Sequence, residues 1–158
     1  MNILSEQMKP VMKQIGFRVK KNSFYRISGD FLQVINFQKS MWGNLYYINV
    51  GFDWITSSDG RFPSNYQYPP YYTLFWRRIE DFHFGHPFPK VFDFDGCSNQ
   101  ETKYCEICSI ITELISYLDK NNTAQSFDSL LKSGIISGEP PLSFNKTMME
   151  RLLRRHDN

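Results

Sequence analysis

The chain has 158 residues, a net charge of +2 and an aromatic content of 16%. That length holds one core, and so many aromatics exclude a disordered chain, a collagen-like repeat and a coiled-coil fibre. A net charge this small selects no class of partner.

The aromatics begin at Phe17 and are dense as far as Phe94; only Tyr104, Tyr117, Phe127 and Phe144 follow. Ahead of them, Ile3, Leu4, Met8, Val11, Met12 and Ile15 recur at three- and four-residue spacings, which predicts an amphipathic helix over 2–15. Pro10 interrupts this helix, so the pattern predicts either a bend or a start near Lys9 with Pro10 in the first turn. Gly16 reads as the stop signal.

From residue 17 to 94 the period becomes two. Phe17, Val19 and residues 24–27 read as short strands around Lys20-Lys21-Asn22-Ser23, and Ser28-Gly29-Asp30 reads as a turn. The clearest strand is Phe31 to Gln38, followed by a hairpin loop from Lys39 to Asn44 and an antiparallel partner from Leu45 to Phe52. With Gln38 opposite Leu45, Asn36 faces Tyr47 and Val34 faces Asn49. Asn36, Gln38, Tyr47 and Asn49 then share one face, and Phe31, Ile35, Phe37, Tyr46, Ile48 and Val50 share the other. The apolar face suits helix packing. The amide-rich face either binds a ligand or partner, or forms a hydrogen-bond network. Residues 57–70 read as a polar, proline-containing loop, Tyr71 to Phe82 as a further strand, and 83–99 as irregular. Trp42 in the hairpin loop and the loop tyrosines Tyr66, Tyr68, Tyr71 and Tyr72 are aromatics that no strand core requires, and are the expected anchors for a protein partner.

Beyond residue 99 the period turns helical. Tyr104, Ile107, Cys108, Ile111, Leu114, Ile115 and Leu118 form one stripe, with Ser98 or Asn99 as cap and Asn121-Asn122 as the end. Ser126 to Lys132 predicts a short helix ended by Gly134. Leu142 to Arg155 predicts a last one, capped by Ser143 or Asn145, with Met148, Met149, Leu152 and Leu153 facing inward. The expected fold class is α+β: a single domain over 1–158 with one antiparallel sheet (the β-rich part, 17–94) flanked by an N-terminal helix and by C-terminal helices in 99–155.

The run Phe24-Tyr25-Arg26, Gly29-Asp30-Phe31, Gln33 to Ser40 and Tyr47-Ile48-Asn49-Val50-Gly51, preceded by Gly16-Phe17, resembles the bacterial domain of unknown function 4304 family. The likeness is strongest over residues 1–55; further on it continues in outline through Arg77-Arg78-Ile79 and the helices. It implies an opening helix, an aromatic, amide-bearing hairpin, closing helices and a bacterial, cytoplasmic protein. It carries over no catalytic residue.

The residues offer three candidate chemistries. Cys105 and Cys108 have the spacing of a zinc pair, and Cys97, His83 and His86 could complete a tetrahedral set. However, there is no second such pair, and Cys108 falls in the apolar stripe, where a thiol acts as a small hydrophobe. His83, His86, Asp93 and Asp95 gather acids and bases in one loop, but no nucleophile motif and no phosphate-binding loop accompanies them. Arg18, Lys20, Lys21 and Arg26 cluster early, Arg77 and Arg78 sit among aromatics, and Arg151, Arg154 and Arg155 lie in the last predicted helix, yet the charge balance is too even for a nucleic-acid footprint and these are expected to be ordinary solvated charges. No cofactor motif is read, no apolar run suits a membrane helix, and the N-terminus lacks a secretory pattern, so a cytoplasmic protein is expected. The reading is therefore a non-enzymatic protein-binding module, with an immunity- or antitoxin-like role as its narrower form by analogy with small bacterial α+β proteins. A small hydrolase-like enzyme using the His83–Asp95 loop is the alternative.

Overall fold

Alternating large apolar residues set the central hairpin. β3 (Phe31–Lys39) and β4 (Leu45–Trp54) pair antiparallel, with Phe37 opposite Ile48, Ile35 opposite Val50 and Phe31 opposite Trp54. The computed structural model describes residues 1–55, 73–85 and 87–154. Within them, β1 (Arg18–Lys20), β2 (Ser23–Ser28) and β5 (Phe75–Arg78) extend the sheet in the order β1–β2–β3–β4–β5, all antiparallel, and a two-residue β6 (Phe92–Asp93) pairs with β4 at Leu45 and Tyr46.

The hairpin register differs by two residues from the one expected. Gln38 faces Tyr47, not Leu45, and Asn36 faces Asn49, not Tyr47. Pairing runs on to Lys39–Tyr46, and the Ser40 N–H donates to the Leu45 carbonyl at 2.8 Å, closing a tighter tip. A slip of an even number of residues leaves every side chain on its expected face.

Four helices among the described residues flank the sheet. α1 (Ile3–Gln14) starts well before Lys9 and keeps Pro10 inside, because Asn2 caps it: the Asn2 side chain accepts from the Ser5 N–H at 2.8 Å. The same residue donates through Nδ2 to the Phe37 carbonyl at 2.6 Å, so the cap also ties the helix to β3. α2 (Gln100–Lys120) is capped by Asn99 and α3 (Ala124–Lys132) by Thr123, whose side chain accepts from the Ser126 N–H at 3.2 Å. α4 (Leu142–Arg154) closes the described chain.

The helices pack on the face that carries Phe31, Ile35 and Phe37. Phe31 is the hub: its ring centroid lies 4.7 Å from Trp54, 4.8 Å from Phe127 of α3 and 6.4 Å from Phe144 of α4. Leu4, Met8 and Met12 of α1, and Ile107, Ile111 and Leu114 of α2, are buried in the same cluster. The fold is thus α+β, one antiparallel sheet with helices drawn from both ends of the chain.

Two sequence expectations fail for long-range reasons. The strand expected over Tyr71–Phe82 is, in its described part, only Phe75–Arg78, and Ile79–Asp81 forms a 3-10 turn. Asp81 makes that turn: its carboxylate accepts from the Arg78 N–H, and its carbonyl accepts from the Ser137 N–H of the α3–α4 linker at 2.8 Å. In α4, Phe144 and Met148 face inward, whereas Met149 and Leu153 are 51% and 63% exposed. The orientation is set by Phe144, which enters the ring cluster while its carbonyl accepts from the Trp54 indole N–H at 3.2 Å.

Candidate functional site

The β3–β4 hairpin offers two candidate surfaces, its amide-bearing face and its tip. On the face, Asn36 and Asn49 sit directly opposite, as do Gln38 and Tyr47. Asn49 Nδ2 donates to Gln38 Oε1 at 3.0 Å and lies 3.4 Å from Asn36 Oδ1. Asn36 Nδ2 donates in turn to the Asn22 carbonyl and to Ser23 Oγ, each at 3.1 Å. The Arg78 guanidinium stacks over the Tyr47 ring at 4.2 Å. The four predicted residues therefore do come together: the Asn49 amide bonds to Gln38 and Asn36 on β3, and Asn36 carries the network on to Ser23 of β2. One acceptor, Asn49 Oδ1, is buried with no hydrogen-bond partner.

At the tip, Trp42 is 88% exposed and Met41, which the sequence reading did not single out, is 91% exposed. The signal for Met41 was its place: a hairpin turn calls for Gly, Asn, Asp or Pro, and Met-Trp meets none of those needs. The tip is held from several sides. The Trp42 N–H donates to Ser40 Oγ at 3.1 Å, the Asn44 N–H donates to Asp95 Oδ2 at 3.1 Å, and the Asn44 carbonyl accepts from the Phe94 N–H at 3.1 Å. Gly43 beside it adopts φ +154°, a backbone conformation that residues with a side chain rarely take.

The predicted acid–base set is split. His83 Nε2 lies 2.6 Å from Ser137 Oγ, at the linker before α4. Asp93 and Asp95 brace the hairpin tip, Asp93 Oδ1 accepting from the Asp95 N–H at 2.7 Å. No hydrogen bond or ion pair joins His83 to either aspartate among the described residues. The His83–Ser137 contact has the spacing of a base and a nucleophile, but His83 is exposed and no carboxylate orients its ring among the described residues. His86, Tyr66, Tyr68, Tyr71 and Tyr72 lie outside the described residues.

The cysteines do not converge either. Cys97 Sγ contacts the Asn99 carbonyl, Cys105 is exposed, and Cys108 Sγ packs 3.6 Å from Met8 Sδ. Burial, with Cys105 adding to it, pushes the Cys108 thiol above its ordinary range, which suits a packing role rather than a thiolate ligand. Among the described residues no three His, Cys, Asp or Glu side chains are grouped to hold a metal ion.

Arg26 and Arg77, expected from the sequence to be ordinary solvated charges, are structural instead. Arg26 donates to Gln33 Oε1, to the Ile15 carbonyl and to the Asp119 carboxylate, so a cleft of about 720 Å³ beside it is lined by a cation whose donors are engaged. Arg77 donates to the Ser137 and Glu139 carbonyls at 2.8 and 2.9 Å and holds the α3–α4 linker; burial lowers its pKa.

Taken with the fold, these features define an α+β protein with a helix-covered antiparallel sheet, an aromatic core and a projecting apolar hairpin tip. The sequence profile of a domain of unknown function, family 4304, matches residues 8–120, and the chain belongs to that family. No curated protein and no solved structure matches it. No helix among the described residues is long and apolar enough to cross a membrane.

Proposed function

We propose that the protein is a non-enzymatic module that recognises a protein partner, with the β3–β4 tip as its anchor. One observation carries this reading: adjacent Met41 and Trp42 stand 91% and 88% exposed on a tip whose backbone is already fixed. Burying a large apolar side chain against a partner is worth about 1.5–3 kcal/mol, and interface energy concentrates in such residues, Trp above all. A pre-ordered tip loses little freedom on binding, so more of that gain survives as affinity. The three free cysteines agree with a reducing, cytoplasmic setting. The narrower immunity- or antitoxin-like role follows if the partner is a toxin.

The test compares affinity capture from the source cells by the wild-type chain and by a Met41→Ser, Trp42→Ala variant. The reading expects a protein retained by the wild type and lost from the variant, with both chains melting at the same temperature. Equal capture by the two contradicts the tip as the anchor.

A further inference from the structure

Helix α4 carries a second apolar stripe that the monomer does not use. Phe144 and Met148 satisfy the core. Leu142, Met149 and Leu153, at spacings of seven and four residues, lie on another side of the helix and are 88%, 51% and 63% exposed. That spacing is the one at which two helices pack along a seam. A helix on the surface of a monomer needs a single apolar face, so a second one implies another covering surface. The stripe borders a groove of about 490 Å³ between α3 and α4, lined in part by Leu131, Pro140, Met148 and Met149.

The charges beside the stripe say what covers it. Lys146 and Glu150 flank it on the side away from the groove, both exposed, and neither has an ion pair among the described residues. We infer that a second copy of this chain docks there, its α4 antiparallel to the first about a two-fold axis near Thr147 and Met148. That placement sets Leu142 beside Leu153 of the second copy at each end of the seam. Residues on the same flank meet in an antiparallel pair, so Lys146 meets Glu150 twice. On α4 itself a parallel pair would set Lys146 against Asn145 and Leu152, which carry no charge, while the groove beyond them holds Glu139 and the Asp128–Lys132 ion pair. The seam is short: a helix of 13 residues is about 20 Å long. It is therefore smaller than the roughly 800 Å² per partner of a stable interface, and the dimer is weak and concentration-dependent. This inference uses none of the hairpin-tip residues and stands apart from the proposed function.

Sedimentation velocity of the full chain, from about 1 to 200 µM, tests it by mass action. The wild type is expected to pass from monomer to dimer across that range. Leu153→Glu, and independently Leu142→Ser, should hold it monomeric with an unchanged circular dichroism spectrum, since both side chains are exposed. Lys146→Glu should weaken the dimer several-fold, and Lys146→Glu combined with Glu150→Lys should restore it. A monomer at every concentration overturns the inference. So does a dimer indifferent to the Leu142 and Leu153 substitutions, or one not restored by the charge swap.

Discussion

Gly29 sits at φ +56°, and a Cβ there would come within 2.1 Å of the Asn122 carbonyl oxygen. That oxygen accepts from the Asp30 N–H at 2.8 Å, and the Asp30 carboxylate accepts from the Ala124 N–H at the start of α3. Gly29→Ala combines left-handed strain of about 1–2 kcal/mol with loss of this junction. The melting temperature should fall by roughly 4–8 °C, read by calorimetry. Asp30→Ala removes the side-chain cap and the contact with Arg151, and should cost about 1–2 kcal/mol in denaturant unfolding. The raised acids give a pH signature. Burial lifts the Cys108 thiol above 9.0 and the Tyr46 phenol above 10.0 in the folded chain. Both favour the folded state fully while they are protonated in the unfolded one, so their contribution is lost as pH rises through and beyond those values. Melting temperature should hold up to about pH 9 and decline above it, and iodoacetamide should modify exposed Cys105 before Cys108.

Among the elements, the β3–β4 hairpin and its ring cluster carry the fold. Phe127→Ala in α3 deletes a ring that touches Phe31, Phe52, Phe75 and Phe144, and should destabilise by about 3–5 kcal/mol in urea unfolding. The sequence marks these elements well because their periods are local: two for β3 and β4, three to four for α1 and α2. It misses what distant segments decide. Residues 79–81 leave the strand because Ser137, far along the chain, takes the Asp81 carbonyl. Met149 and Leu153 turn outward because Phe144 is captured by Trp54. At the candidate site, alternation places Asn36, Gln38, Tyr47 and Asn49 on one face, but their use as one another's partners depends on the two-residue register shift. Trp42 is visible as an aromatic out of place, while Met41 beside it is marked only by its place in a turn that calls for other residues.

At the scale of the molecule, α3 and α4 lie beyond residue 120, where the family match ends, yet Phe127 and Phe144 stand against Phe31 and Trp54. A chain ended at Lys120 would leave that side of the sheet bare and should lose cooperative unfolding, seen as a broad, shallow calorimetric transition. The same packing leaves the hairpin tip as a fixed, projecting apolar feature with no role in the core. Trp42→Ala should therefore change stability by less than about 0.5 kcal/mol while abolishing partner capture. The most direct measurement places a photoreactive amino acid at position 42 and, as a control, at exposed Lys13 of α1, with irradiation in the source cells. A binding tip predicts a discrete crosslinked protein from position 42 that position 13 does not give. No crosslink from position 42, or the same pattern from both positions, would contradict it.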